Sequence, residues 1–157
     1  MRLITKTVVV SILFAFQIHA AHPDLQNLLP GYVAIQEALA GDNLKEAINQ
    51  AEALQKKSTN WENQELKTIK TALVGISSSK NISDARKEFK KLSLPFTEWL
   101  LKNPTTKFSA MYCPMVDAKW VQKEGETHNP YYGKTMLNCG EKISKKDGPS
   151  QKKCCSD

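Results

Sequence analysis

Apolar residues recur at spacings of three and four along the first two thirds of the chain, the mark of helices with one buried face. From Leu29 to Ala40 they are Tyr32, Ile35 and Leu39, and Gly41 closes the stretch. From Asn43 to Lys57 the stripe is Leu44, Ala47, Ile48, Ala51 and Leu54, with Asp42 placed to cap it. A third stretch, Asn60 to Ser77, carries Leu66, Ile69, Leu73 and Ile76. Thr59 and Glu62 have capping-box spacing at its start, and Ser77-Ser78-Ser79 ends it. The fourth follows Asn81, a good cap, and carries Ile82, Ala85, Phe89, Leu92, Phe96 and Trp99. Pro95 is expected to kink it, because proline lacks an N–H and its ring clashes with the preceding turn. Short connections favour antiparallel neighbours. The pattern therefore predicts a mainly α protein, an up-down four-helix bundle. Its core is expected to hold Leu44, Ile48, Leu54, Phe89, Leu92, Phe96 and Trp99.

The pattern changes after Asn103-Pro104. Residues 108–141 are rich in aromatics, Cys, Met, Gly, Pro and Asn, and alternation replaces the helical stripe from Phe108 to Val116. A C-terminal irregular Cys/Met-rich segment is expected there. Residues 142–157 are mostly Lys and Ser, with Gly, Pro and the pair Cys154 and Cys155, and have almost nothing apolar to bury. They are expected to form a disordered tail.

The beginning of the chain has a different character. Arg2 and Lys6 precede an apolar run, Val8 to Phe16, and Ile18-His19-Ala20-Ala21 offers small residues for cleavage. Residues 1–20 thus read as a secretory signal peptide. The run is too short to span a bilayer, although a short retained anchor is the alternative. The expectation is a periplasmic or secreted protein with no stable membrane insertion, whose domain occupies residues 24–141.

A chain of 157 residues suits one domain, and the mature part is long enough to bury a core. The net charge of +6 becomes +4 without Arg2 and Lys6, since the leading segment carries no acid. Lysine and glutamate are interspersed, which describes a solvated surface. No focused basic face with aromatics is legible, so nucleic acid is not an expected partner. The protein is expected to be a monomer.

Candidate chemistry lies in Met111-Tyr-Cys113-Pro-Met115, Trp120, Asn129-Pro-Tyr-Tyr-Gly133 and Met136-Leu-Asn-Cys139-Gly140. In an extended strand, residues 111, 113 and 115 share a face. Met136 and Cys139 converge if a turn intervenes, and Asn-Pro and Tyr-Gly mark such a turn. Sulfur ligands select soft ions, chiefly Cu(I) and Ag(I). Zinc favours four Cys or His ligands and is served poorly by thioethers. The candidate metal ligands are Cys113, Met115, Met136, Cys139 and Met111, with Trp120, His128 and Tyr131 lining the site. Two plainer readings stand beside this one. Cys113 and Cys139 form a disulfide and the methionines fill core, or the thiols are simply buried. Export would place the cysteines where disulfides persist.

Enzyme chemistry finds little support. There is no C-x-x-C pair and no C-x-x-C-H haem site. After the signal segment only His22 and His128 remain as bases, and no nucleophile elbow accompanies Cys113 and His128. Glu124 and Glu126, flanking Gly125, read as a solvated turn. His22, near a new N-terminus, would chelate Cu(II) at most. The protein is read as a binding protein.

Cys113-Pro-Met115, Trp120, Asn129-Pro-Tyr-Tyr-Gly133 and Met136-Leu-x-Cys139-Gly140 resemble the signature of an exported bacterial family, domain-of-unknown-function family 3347. The stretch Arg86-Lys-Glu-Phe89-Lys-Lys-Leu-Ser93 is similar to part of the helical region that precedes that signature. The resemblance covers about Gly31 to Glu141; the C-terminal signature is specific and the helical part is not. Members occur alone or appended to periplasmic adaptor subunits of copper/silver efflux pumps. The resemblance implies a periplasmic helical domain that handles heavy metal, with ligand positions at Cys113, Met115, Met136 and Cys139. Met111 lies where the family varies, and Cys154-Cys155 lies outside the pattern. The implied function is an accessory protein that buffers Cu(I) or Ag(I) or delivers it to an efflux or resistance system. An efflux adaptor or another periplasmic metal carrier would be the partner. The alternative is a metal-free structural or interaction domain with a Cys113–Cys139 disulfide.

Overall fold

A computed structural model describes residues 25–57 and 64–145. The expected signal segment, His22, the expected Thr59/Glu62 capping box and residues 146–157, including Cys154 and Cys155, lie outside the described residues. Within them the order is α1 (Leu25–Ala40), α2 (Leu44–Lys57), α3 (Gln64–Ser77), α4 (Ile82–Lys102), β1 (Phe108–Cys113), β2 (Ala118–Lys123), a 3-10 turn (Gly133–Met136) and β3 (Glu141–Ile143). The protein is mainly helical with a small antiparallel sheet at its C-terminal end, ordered β2-β1-β3. No helix among the described residues is long and apolar enough to cross a membrane.

Helix ends follow side-chain chemistry, with one change from expectation. Asn43, not Asp42, caps α2: its Oδ1 accepts the Glu46 amide at 3.0 Å. Asp42 instead takes the left-handed conformation that ends α1, with φ of 59°. The Asn43 amide then reaches back to Ala38 O at 2.8 Å, a Schellman-type closure one residue beyond Gly41. Aspartate tolerates that conformation better than most residues, and its carboxylate is left free for work described below. Asn81 caps α4 as expected, accepting the Asp84 amide at 2.9 Å. At the end of α3, the hydroxyls of Ser77, Ser78 and Ser79 donate to the carbonyls of Leu73, Val74 and Gly75. They thereby satisfy groups that the last turn orphans. Pro95 sits inside α4, which runs through it as one element of 21 residues.

The stripes largely find their core. Leu54, Phe89, Leu92 and Phe96 are buried, while Leu44, Ile48 and Trp99 are only half-buried. Ala47, Ala51 and Leu54 are the residues of α2 that turn inward, so Leu44 and Ile48 fall on its flank. Tyr32 of α1 stacks on Phe89 and Phe96 of α4, with ring centroids 5.3 and 4.4 Å apart. Its hydroxyl bonds Ser93 Oγ at 2.7 Å and accepts the Val121 amide at 3.1 Å, which ties α1, α4 and β2 together. Leu92 has no exposed surface. Leu92→Ala should therefore cost about 2–5 kcal/mol in a urea titration, the range for a buried leucine truncation. A loss under about 0.5 kcal/mol would mean that the wrong face of α4 has been assigned to the core.

The segment expected to be irregular contains a small sheet. β1 and β2 pair in register from Phe108 with Lys123 to Cys113 with Ala118, and β3 pairs Tyr112 with Glu141 and Met111 with Lys142. Lys142 and Ile143 are thus strand residues rather than the start of a tail. The reason is that alternation in Phe108 to Cys113 needs a partner on each side, and the residues after Cys139 supply the second.

Candidate functional site

The site is built where the helices meet the far end of the sheet. β1 stops at Cys113, because Pro114 cannot extend the ladder. A turn follows, with Asp117 at φ 46° and its amide bonded to Pro114 O at 3.3 Å. This breaks the expected common face of residues 111, 113 and 115. Met111 is buried opposite Trp120, Cys113 is wholly buried, and Met115 lies in the turn with 57% of its surface exposed.

The second half returns as the turn signals implied. Asn129 is fully buried and holds its loop by every polar group it has. Its amide donates to Leu137 O at 2.7 Å and its carbonyl accepts from Gly133. Its Oδ1 accepts the amides of Tyr131 and Tyr132, and its Nδ2 donates to Cys139 O at 2.6 Å. The Cys139 amide in turn donates to Met136 O at 3.1 Å, which puts the half-buried Met136 one turn before Cys139. The result is that Cys113 Sγ and Cys139 Sγ lie 3.1 Å apart. Cys113 is buried and Cys139 partly so.

Trp120 and Tyr131 are buried and pack against one another. Trp120 has no exposed surface and meets Tyr131 edge-on at 6.0 Å; Tyr131 meets Phe89 at 5.9 Å. An aromatic column thus runs from Phe96 through Tyr32, Phe89 and Tyr131 to Trp120. Burial pushes the Tyr131 phenol well above its ordinary range, so it stays protonated and donates to Lys119 O at 2.6 Å. Gly140, next to Cys139, packs closely against the Trp120 ring at φ 155°, where a Cβ would collide with it. His128 has an exposed side chain and serves through its backbone. Its amide donates to Gln122 Oε1, and its carbonyl accepts Gln36 Nε2 at 2.6 Å. Among the described residues, no three His, Cys, Asp or Glu side chains come together. The two cysteine sulfurs are what the fold brings together here; Met115 lies in the turn after β1 and Met136 in the turn before Cys139.

One part of the arrangement was not foreseen. Arg86, on α4, donates to Pro130 O at 2.7 Å, Leu39 O at 2.9 Å and Asp42 Oδ1 at 2.6 Å. Asp42 Oδ2 accepts the Lys134 amide at 3.1 Å. Gly133, with φ of 59°, lies directly against this pair, which leaves no room for a Cβ. The Asn129 to Gly133 turn is thereby clamped to the helices. The Lys134 amide and the Arg86 guanidinium hold the Asp42 carboxyl below its ordinary 3.8. A carboxyl depressed on folding stabilises the fold above its unfolded pKa, and that stabilisation is lost as pH falls through the folded value. Asp42→Asn should accordingly lower the melting temperature near neutral pH. The gap from the parent should close in strongly acid solution; a gap independent of pH would show that the charge is not what matters.

Fold and site together define a small helical domain with a C-terminal three-stranded sheet, in which Cys113 at the end of β1 meets Cys139 of the loop before β3. Its residues 28–107 match the family described as protein of unknown function (DUF3347), and the chain belongs to that family. The match spans α1 to α4 and stops at the threshold of β1, so the Cys/Met segment lies beyond the matched residues. No curated protein and no solved structure matches the chain.

Proposed function

We propose that this is an exported, monomeric binding protein, not an enzyme, whose reduced Cys113–Cys139 pair carries one Cu(I) or Ag(I) ion as cargo. The observation that carries the reading is the 3.1 Å approach of the two sulfurs, brought together from positions 26 residues apart. Two thiolates supply the charge and most of the affinity for a soft monovalent ion, and they release protons as it binds. Thioethers add coordination without adding charge, and Met136 is the one tied to Cys139 by its own turn. In this reading the helices form an up-down bundle that serves as the rigid base. The ion is buffered, or passed to an efflux adaptor or another periplasmic metal carrier.

The test is a titration of the reduced protein with Cu(I) against a chromogenic chelator, without oxygen. One equivalent should bind. Cys113→Ser with Cys139→Ser should abolish binding. Met136→Leu should weaken it, since leucine keeps the volume and removes the sulfur. Zn(II) should compete poorly. The same sulfur separation favours one rival, a structural disulfide in a metal-free interaction domain. Under that reading the purified chain is two mass units lighter than its reduced form, and Cys113 and Cys139 stay unreactive towards thiol reagents until reduced.

A further inference from the structure

A second recess lies at the opposite end of β1, about 17 Å along the strand from Cys113 at the usual rise per residue. It is a groove of about 610 Å³ between the C-terminal end of α4 and the β1–β3 side of the sheet. That volume falls within the range of small-molecule sites, roughly 300–1,000 Å³. Leu101, Phe108 and Ile143 line it and are only half-buried, so apolar surface is left facing into it. Among the described residues, the charged ones lining it are Lys102, Lys142 and Lys145, with no acid. Lys142 is already engaged by both carboxylate oxygens of Glu124, at 2.8 Å. Lys102 and Lys145 have no acidic partner among the described residues. The carbonyls that end α4 would repel an anion, and Lys102, on that same last turn, offsets them.

We propose that this groove binds an amphipathic monoanion: a free carboxylate on a single unbranched hydrocarbon chain. The chain lies on Leu101, Phe108 and Ile143, and the carboxylate meets the ammonium groups of Lys102 and Lys145. An apolar floor alone would take any greasy molecule; Lys102 and Lys145 select the sign of its head. The site is independent of the dithiol and of what the dithiol carries.

The experiment uses the purified exported chain and a fluorescent dansylamino-undecanoate as probe. Octanoate, decanoate and dodecanoate should displace it, tightening by about fourfold per methylene until the groove is filled. Decyltrimethylammonium should displace it at least tenfold less well than decanoate. Lys102→Glu with Lys145→Glu should weaken dodecanoate at least tenfold and leave the number of titratable thiols unchanged. Should that variant fail to fold, the Gln versions should show the same loss in smaller measure. The proposal is overturned by any of three results: no saturable probe binding, equal displacement by cationic and anionic chains, or binding confined to phosphatidylglycerol vesicles with none to monomeric carboxylates.

Discussion

Trp120→Ala is expected to cost about 3–5 kcal/mol, the usual range for a buried aromatic truncated to alanine. The ring is wholly buried and is the last member of the aromatic column that joins the helices to the sheet. Its removal takes away the edge-on contact with Tyr131 and the surface on which Gly140 lies. It also strips Gln122 Oε1 of the indole N–H that it accepts at 3.0 Å. Gly140 is covalently next to Cys139, so the loss reaches the thiol pair directly. Urea unfolding should report the stability change, and a thiol reagent should modify Cys139 faster in the native state. A cost below about 1 kcal/mol would show that neighbouring side chains collapse into the space and that the column is not what anchors the sheet.

Asn129→Ala is expected to destabilise by about 3 kcal/mol, with a larger effect on Cys139 than on the helices. The estimate follows from the groups stranded. Cys139 O, the Tyr131 amide and the Tyr132 amide all lose their Asn129 partner, at about 1–3 kcal/mol for each one left buried and unsatisfied. Water entering the loop would recover part of this, which is why the sum is set at the low end. Asn129→Asp separates the two roles. It keeps an acceptor for the tyrosine amides but sets an oxygen against Cys139 O, so the two cysteines should part while the Asn129 to Gly133 turn persists. Disulfide formation under mild oxidant, followed by mass, should be fast in the parent and slow in both variants. Equal rates would mean that Cys139 is held by something other than Asn129.

The clamp that seats this loop was only partly legible. Arg86 stood in a stretch noted for its resemblance to a helical region, but nothing in its spacing tells that its guanidinium crosses to Pro130, Leu39 and Asp42. Asp42 was read as a helix cap because caps are judged from local order. Its actual work depends on residues 44 and 92 positions away. Gln36 and Gln122 gave no signal at all: a glutamine on a helix or strand is ordinarily a surface residue, whereas these two are buried and bond the backbone of the loop at Glu126 and His128.

Helix positions, their inward stripes, the Asn81 cap and the serine stop of α3 followed from residue order, because each depends on neighbours within a turn or two. The Asn-Pro and Tyr-Gly pairs likewise marked a turn from local backbone preference. Met115 fell away from the expected sulfur row because Pro114 ends the strand, a local effect whose outcome hung on where β1 stopped. The meeting of Cys113 with Cys139 needed more than local order. It required β3 to pair with β1, Asn129 to bind Cys139 O, Gly140 to lie against Trp120, and Arg86 to clamp the turn. Each is a contact between segments far apart in the chain, decided by which surfaces and unpaired polar groups remain once the helices have packed.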